Sequence, residues 1–152
     1  MLFMTAKVDI KKVLLGLIAA AALIVGIIFL FGKGDAAPTA ATGISNNDAR
    51  VQFLKNYGWE VANSPVESGQ VRIPEKSTAV YDRYNALQKT QGFDLSRYAG
   101  KIVMRYVYKI NNYPGATDPV YATLLVYQNE VIGGDITDTC PGGQVRTFKM
   151  PA

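Results

Sequence analysis

Whatever chemistry this chain performs, it performs without histidine: the 152 residues contain none, and one cysteine, Cys140. Those two counts exclude His-dependent triads, most zinc sites, intramolecular disulfides and CxxC redox exchange. Ser64 and Ser96 therefore have no imidazole to activate them, and no S-x-x-K spacing occurs that would supply a lysine base instead. Cys140 stands in a Pro/Gly stretch with no histidine to lower its pKa, which disfavours a nucleophilic role. Carboxylates are what is left. Glu130, Asp135 and Asp138 lie close in sequence, but Ca²⁺ needs six to eight oxygens and the spacing of a calcium loop is missing. Glycoside cleavage would need two carboxyls about 5–10 Å apart across a cleft, and none of Glu60, Glu67, Glu75, Asp94 and Asp135 is singled out as a pair. Asp135 follows Gly133-Gly134, where backbone N–H groups can hold a carboxylate. No metal, no cofactor and no enzymatic activity are expected.

Aromatic residues offer binding rather than catalysis. Tyr106, Tyr108, Tyr121 and Tyr127 fall on two consecutive extended stretches, where they could form a platform for a sugar or an extended peptide. Together with Asp135 they are the candidate binding residues. The competing role is plain packing, since tyrosine suits strands and keeps its hydroxyl at a wet edge. Nucleic acid is not an expected partner, because residues 46–152 carry 12 Lys and Arg against 10 Asp and Glu, and these are scattered.

The elements that must position these side chains begin with a membrane segment. Val13 to Phe31 reads VLLGLIAAAALIVGIIFLF, free of charge and proline. As a helix it would span roughly 28 Å, close to the thickness of a bilayer core. It exceeds the apolar region of a cleaved signal, about 7–15 residues, and no lipoprotein cysteine follows it. Lys7, Lys11 and Lys12 precede it and only Lys33 closely follows, so the N-terminus is expected in the cytoplasm and the C-terminal part outside. The expected organisation is a cytoplasmic stub at 1–12, a single-pass anchor in the lipid bilayer at 13–31, a tether at 32–45 and an extracytoplasmic domain at 46–152. A twelve-residue stub is too short to fold as an output module.

The outer domain reads as α+β: two helices packed on one face of an antiparallel sheet of about three to five strands. Asn46-Asn47-Asp48 can cap a first helix that stops at Gly58, and a second is expected from about Glu75 to Gln91, with Val80, Tyr84 and Leu87 on one face. Gln70 to Ile73 is a short extended piece. Lys101 to Asn111 alternates apolar and charged positions, so its charged face is expected to meet water. Val120–Gln128 and Glu130–Ile136 form a hairpin around Gln128-Asn129, Gly133-Gly134 suggests a bulge, and Val145–Met150 could add a last strand.

Several blocks also carry a resemblance. Phe53-Leu54-Lys55-Asn56-Tyr57-Gly58-Trp59, Gln91-Gly92-Phe93-Asp94-Leu95, Tyr98-Ala99-Gly100-Lys101 and Val131-Ile132-Gly133-Gly134-Asp135-Ile136 together resemble the domain-of-unknown-function family 4830. The likeness covers about residues 47–137. It implies a short protein of Gram-positive bacteria with one N-terminal membrane helix and one extracytoplasmic domain, and it implies no activity or site residue. Two readings follow for the outer domain. The favoured one is a non-enzymatic module that binds an envelope protein, a peptide or the cell wall. The other is a small wall-modifying hydrolase that uses carboxylates.

Overall fold

Gln128 and Asn129 both adopt positive φ, 48° and 63°. Two consecutive left-handed residues make the tight turn whose twist matches paired strands, and this turn sets Tyr127 opposite Glu130. The structure, a computed structural model, describes residues 43–152. The anchor expected at 13–31, the stub before it and nearly all of the tether lie outside the described residues. Among the described residues no helix is long and apolar enough to cross a membrane.

Five antiparallel strands form one sheet in sequence order: β1 (Glu67–Arg72), β2 (Ile102–Ile110), β3 (Val120–Tyr127), β4 (Glu130–Asp138) and β5 (Val145–Arg146). The last strand is only two residues long, shorter than the Val145–Met150 reading. Helix α1 (Asn47–Asn56) is capped by Asn46, whose side chain accepts from the Ala49 N–H at 2.8 Å. Helix α2 (Ala79–Thr90) begins later than the sequence suggested, because Thr78 supplies the cap by accepting from Tyr81 N–H. Gly92 then takes positive φ, and the N–H of Phe93 returns to the Gln88 carbonyl, which closes the helix as the sequence implied.

The helices do not share a sheet face. Phe53 and Leu54 of α1 cluster with Tyr108, Ile110, Ala122, Leu124 and Val126. Tyr81 and Tyr84 of α2 pack with Val103, Leu125 and Ile132. These two sets alternate along β2 and β3, so they lie on opposite sides of the pleat. The expectation of helices on one face is corrected accordingly: the sheet is sandwiched. The reason lies in β2 and β3, where Val103, Val107 and Leu125 make the second face apolar as well, and burial there is worth about 1.5–3 kcal/mol per large side chain. The charged side of β2 is likewise not the water side, since Arg105 is buried on it. Ile44, read as part of the tether, is buried in the α1 cluster and donates its N–H to the Asn129 carbonyl.

One edge of this sheet is closed by side chains. Register shifts where Val126 pairs Val131 and Leu125 pairs Gly133, so β4 carries the bulge the two glycines suggested. There Gln88 of α2 replaces a missing strand: its Nε2 donates to the Gly134 carbonyl and its Oε1 accepts the Gly134 N–H, each at 2.9 Å. Gln91 adds a 3.0 Å bond to the same carbonyl and accepts the Phe148 N–H at 2.7 Å, tying the C-terminal segment to the lock.

Gly134 is irreplaceable by this geometry. A Cβ there would overlap the Thr123 carbonyl oxygen and the Phe148 ring, whereas a Cβ on Gly69 in β1 meets nothing within 4 Å. Gly134→Ala is expected to cost about 3 kcal/mol or more, and Gln88→Ala about 2–3 kcal/mol through the orphaned Gly134 N–H. Gly69→Ala is expected to be neutral or to stabilise by up to about 1 kcal/mol. Urea denaturation of the full-length chain in mild detergent checks all three, and equal midpoints for the two glycine variants would remove the close-approach account.

Candidate functional site

The pleat decides which chemistry-bearing residues meet. On the α2 side of the sheet, Arg105 of β2, Thr123 of β3 and Asp135 and Thr137 of β4 are all buried. Tyr84 reaches down from α2 and donates its hydroxyl to Asp135 Oδ2 at 2.6 Å, while Thr137 donates to Oδ1 at 2.6 Å. Asp135 has no exposed surface. It is therefore an interior anchor for α2 and not an exposed binding residue, and its carboxylate is held by side-chain hydroxyls where the two glycines suggested backbone N–H groups. Burial pushes its carboxyl above the ordinary 3.8, against the pull of Thr137, Tyr84 and the Arg105 charge. Burial, followed by the Asp135 charge, raises the Tyr84 hydroxyl well above 10.

Arg105 is the other buried charge. Its Nη1 meets Glu67 Oε1 of β1 at 2.7 Å, with side chains 6% and 14% exposed. This is a single bond where a guanidinium and a carboxylate can make two. Arg105 Nε and Nη2 and Glu67 Oε2 are buried without hydrogen-bond partners among the described residues. Sequence reasoning missed Arg105 because a charge alternating with valines reads as solvent-facing. The polar Thr123, Asp135 and Thr137 on the neighbouring strands were the signal that a polar strip crosses this face.

The four tyrosines are not brought together. Tyr106 and Tyr108 belong to the α1 side, where Arg50 lies over the Tyr106 ring at 3.8 Å and donates to the Tyr108 hydroxyl at 2.9 Å. Tyr108 in turn donates to Asn47 Oδ1 at 2.7 Å and is fully buried, so this pair holds α1 to the sheet. Tyr121 and Tyr127 are half-buried on the opposite side, with Tyr127 edge-on to Tyr98 at 5.6 Å. A one-residue offset in the pleat separates the two pairs, and they form no common platform.

The acids disperse for a related reason. Glu130 and Asp138 occupy opposite ends of the nine-residue β4, about 26 Å apart at strand rise. Among the described residues no group of three or more Cys, Asp or Glu side chains gathers to hold a metal. Asp94 instead caps the 3₁₀ turn Leu95–Tyr98, and hydrogen bonds from Ser96 and Asn85 lower it to about 2. At Cys140, hydrogen bonding to the Asp138 carboxylate is the largest of the effects that push the thiol up, the reverse of what a nucleophile needs.

What remains open is β1. Among the described residues it is an edge strand, paired on one side only. The Ile73 N–H donates to Lys101 O, so alternation turns the amides and carbonyls of Ser68, Gln70 and Arg72 away from β2. Glycine, serine and glutamine fill its middle, without the lysine or proline that usually blunts an edge. Among the described residues the exposed large apolar side chains are Val66, just before β1, and Ile102, paired with Arg72 at its other end.

The model of a domain of unknown function, DUF4830, matches residues 53–136, more than half of the chain. The chain belongs to this family. The DUF4830 match starts inside α1 and ends in β4, so it takes in β1, the Gln88–Gly134 lock, Arg105 and Asp135, and leaves out β5, Cys140 and Phe148. No curated protein and no solved structure matches the chain.

The buried carboxyl gives stability a definite pH dependence. Because the folded chain binds the Asp135 proton more tightly than the unfolded chain, that contribution is fully present below about pH 3.8 and is lost as pH rises through the raised value. Asp94 runs the other way, contributing above 3.8 and losing its contribution as pH falls through about 2. Wild type should therefore lose stability relative to Asp135→Asn as pH rises from 4 to 8 in urea titrations. A constant difference across that range would show that burial does not raise the Asp135 carboxyl above its unfolded value.

Proposed function

We propose that the domain is a non-enzymatic binding module that takes an extended peptide segment of another protein as a sixth strand on the free edge of β1. The observation that carries this reading is the contrast between the two sheet edges. The β4 side is covered by β5, Gln88 and Gln91, while β1 offers outward backbone groups flanked by Val66 and Ile102. Strand addition takes its affinity from such main-chain bonds and its selectivity from flanking side chains. A hydrolase built on carboxylates has less support, since Asp135 is sealed beneath Tyr84 and Thr137.

The setting we propose is the outer face of a cell membrane, with residues 13–31 as an uncleaved single-pass anchor and the domain displayed to envelope proteins. Support for that comes from the charge-free run Val13–Phe31 and the lysines before it.

Gln70→Pro tests the module reading, because it removes an outward N–H and leaves pairing to β2 intact. Full-length chain with a photo-crosslinker at Ser68 would be presented to an envelope extract and to purified peptidoglycan. Crosslinks to one saturable protein, lost at least tenfold in Gln70→Pro, are expected, with muropeptides unchanged. New muropeptide products that disappear in Asp135→Asn would make the protein an enzyme instead.

A further inference from the structure

Resting on the strand-addition reading, we propose that Arg105 is a receptor for a carboxylate side chain, Asp or Glu, carried by the added strand at the position facing Gly69. Three observations converge on this assignment. Arg105 is 5% exposed, and its two unpartnered nitrogens, Nε and Nη2, lie on the same edge of the guanidinium. That edge is the parallel fork that binds both oxygens of a carboxylate, while Nη1 is already engaged by Glu67. A buried guanidinium with one bond in use is costly unless its remaining donors are met.

Gly69 is the second observation. It is the direct cross-strand partner of Arg105, and no atom of the described residues lies within 4 Å of where its side chain would stand. A strand added to β1 would lie two strand spacings from β2, about 10 Å. An extended Glu and an extended Arg can bridge that gap only where no side chain stands between them, and glycine leaves it clear. Third, Arg105 already engages a carboxylate carried by β1, since its Nη1 donates to Glu67 Oε1 at 2.7 Å. Because Nε and Nη2 are the donors in use, Nη1 keeps Glu67 Oε1 and two bonds to the incoming carboxylate are added. The carboxylate belongs to a side chain and not to a chain end, because Gly69 is the third of six residues in β1 and a terminus there would leave half the edge uncovered.

The test uses full-length ¹⁵N-labelled chain in detergent and a defined probe: an acetylated, amidated eight-residue strand of alternating Thr and Val. One Glu is moved along it position by position, with Gln counterparts, and sodium acetate against sodium chloride serves as a carboxylate-only probe. The expected result is a shift of the Ser68 and Gln70 amides together with the Arg105 Nε–H resonance. At one register, Glu should bind at least tenfold tighter than Gln, and Gly69→Val should erase that preference while neutral peptides still bind. Arg105→Lys should lose the preference although its charge is kept; if that variant fails to fold, the wild-type Arg105 resonance decides. Edge amides that shift with no Glu preference and an unmoved Arg105 would overturn this proposal and leave strand addition standing. Acetate moving Arg105 while no peptide reaches the edge would overturn strand addition and keep the fork as a carboxylate site. Silence in both would overturn both.

Discussion

The Gln88 side-chain amide clasping the Gly134 peptide is the constraint around which the domain is arranged. A bulge frees backbone groups that would be costly to bury unpaired, and β5 is too short to meet them. One glutamine meets both at once, from a helix that lies across the second sheet face. The same residue pair also explains why Phe148 closes the first face: with no side chain at Gly134, its ring fits against the strand while the backbone N–H of Phe148 is held by Gln91. Helix, bulge and C-terminal segment are thus fixed by three amides. Trp59, donating Nε1–H to the Phe148 carbonyl at 2.6 Å, joins the far end of α1 to the same segment.

Against that rigid side, the strip beneath α2 has a different character. Asp135 is met on both oxygens by Tyr84 and Thr137, so it is held at a definite place, and these bonds offset part of its burial. Arg105 and Glu67 are joined by a single contact and keep unused hydrogen-bonding capacity. The two buried charges on this face therefore differ in kind: one is a finished anchor and the other has donors to spare. The unfinished one sits beside the open edge, and the finished one lies two strands further in.

Much of this architecture was legible in the sequence because it depends on local chemistry. Asn46, Gly58, Gly92 and the Gln128-Asn129 turn each specify a backbone conformation from a few adjacent residues. So does the bulge at Gly133-Gly134. The side of the sheet on which a helix docks is decided by long-range packing instead, and α2 sits where Val103, Val107 and Leu125 needed cover. Arg105 misled for the same reason, since charge at alternate strand positions means exposure only when one face is wet. The tyrosines were placed on the right strands, yet Tyr106 and Tyr108 fall out of phase with Tyr121 and Tyr127 once the register sets Tyr106 opposite Leu124. Gln88 and Gln91 gave no sign at all, as two glutamines on a polar helix look like solvated residues until the strand edge they cover is known.

The inequality of the two sheet edges also sets a limit on self-association. A strand can join another copy through β1, but the opposite margin is the two-residue β5 beside the Gln88–Gly134 lock, too short to seat a third. Edge-to-edge contact between copies must then be isologous, with the same strand from each copy meeting about a two-fold axis, and it closes at two. Fibre growth requires a donor edge and a separate acceptor edge of useful length on every copy, and among the described residues only β1 has that length.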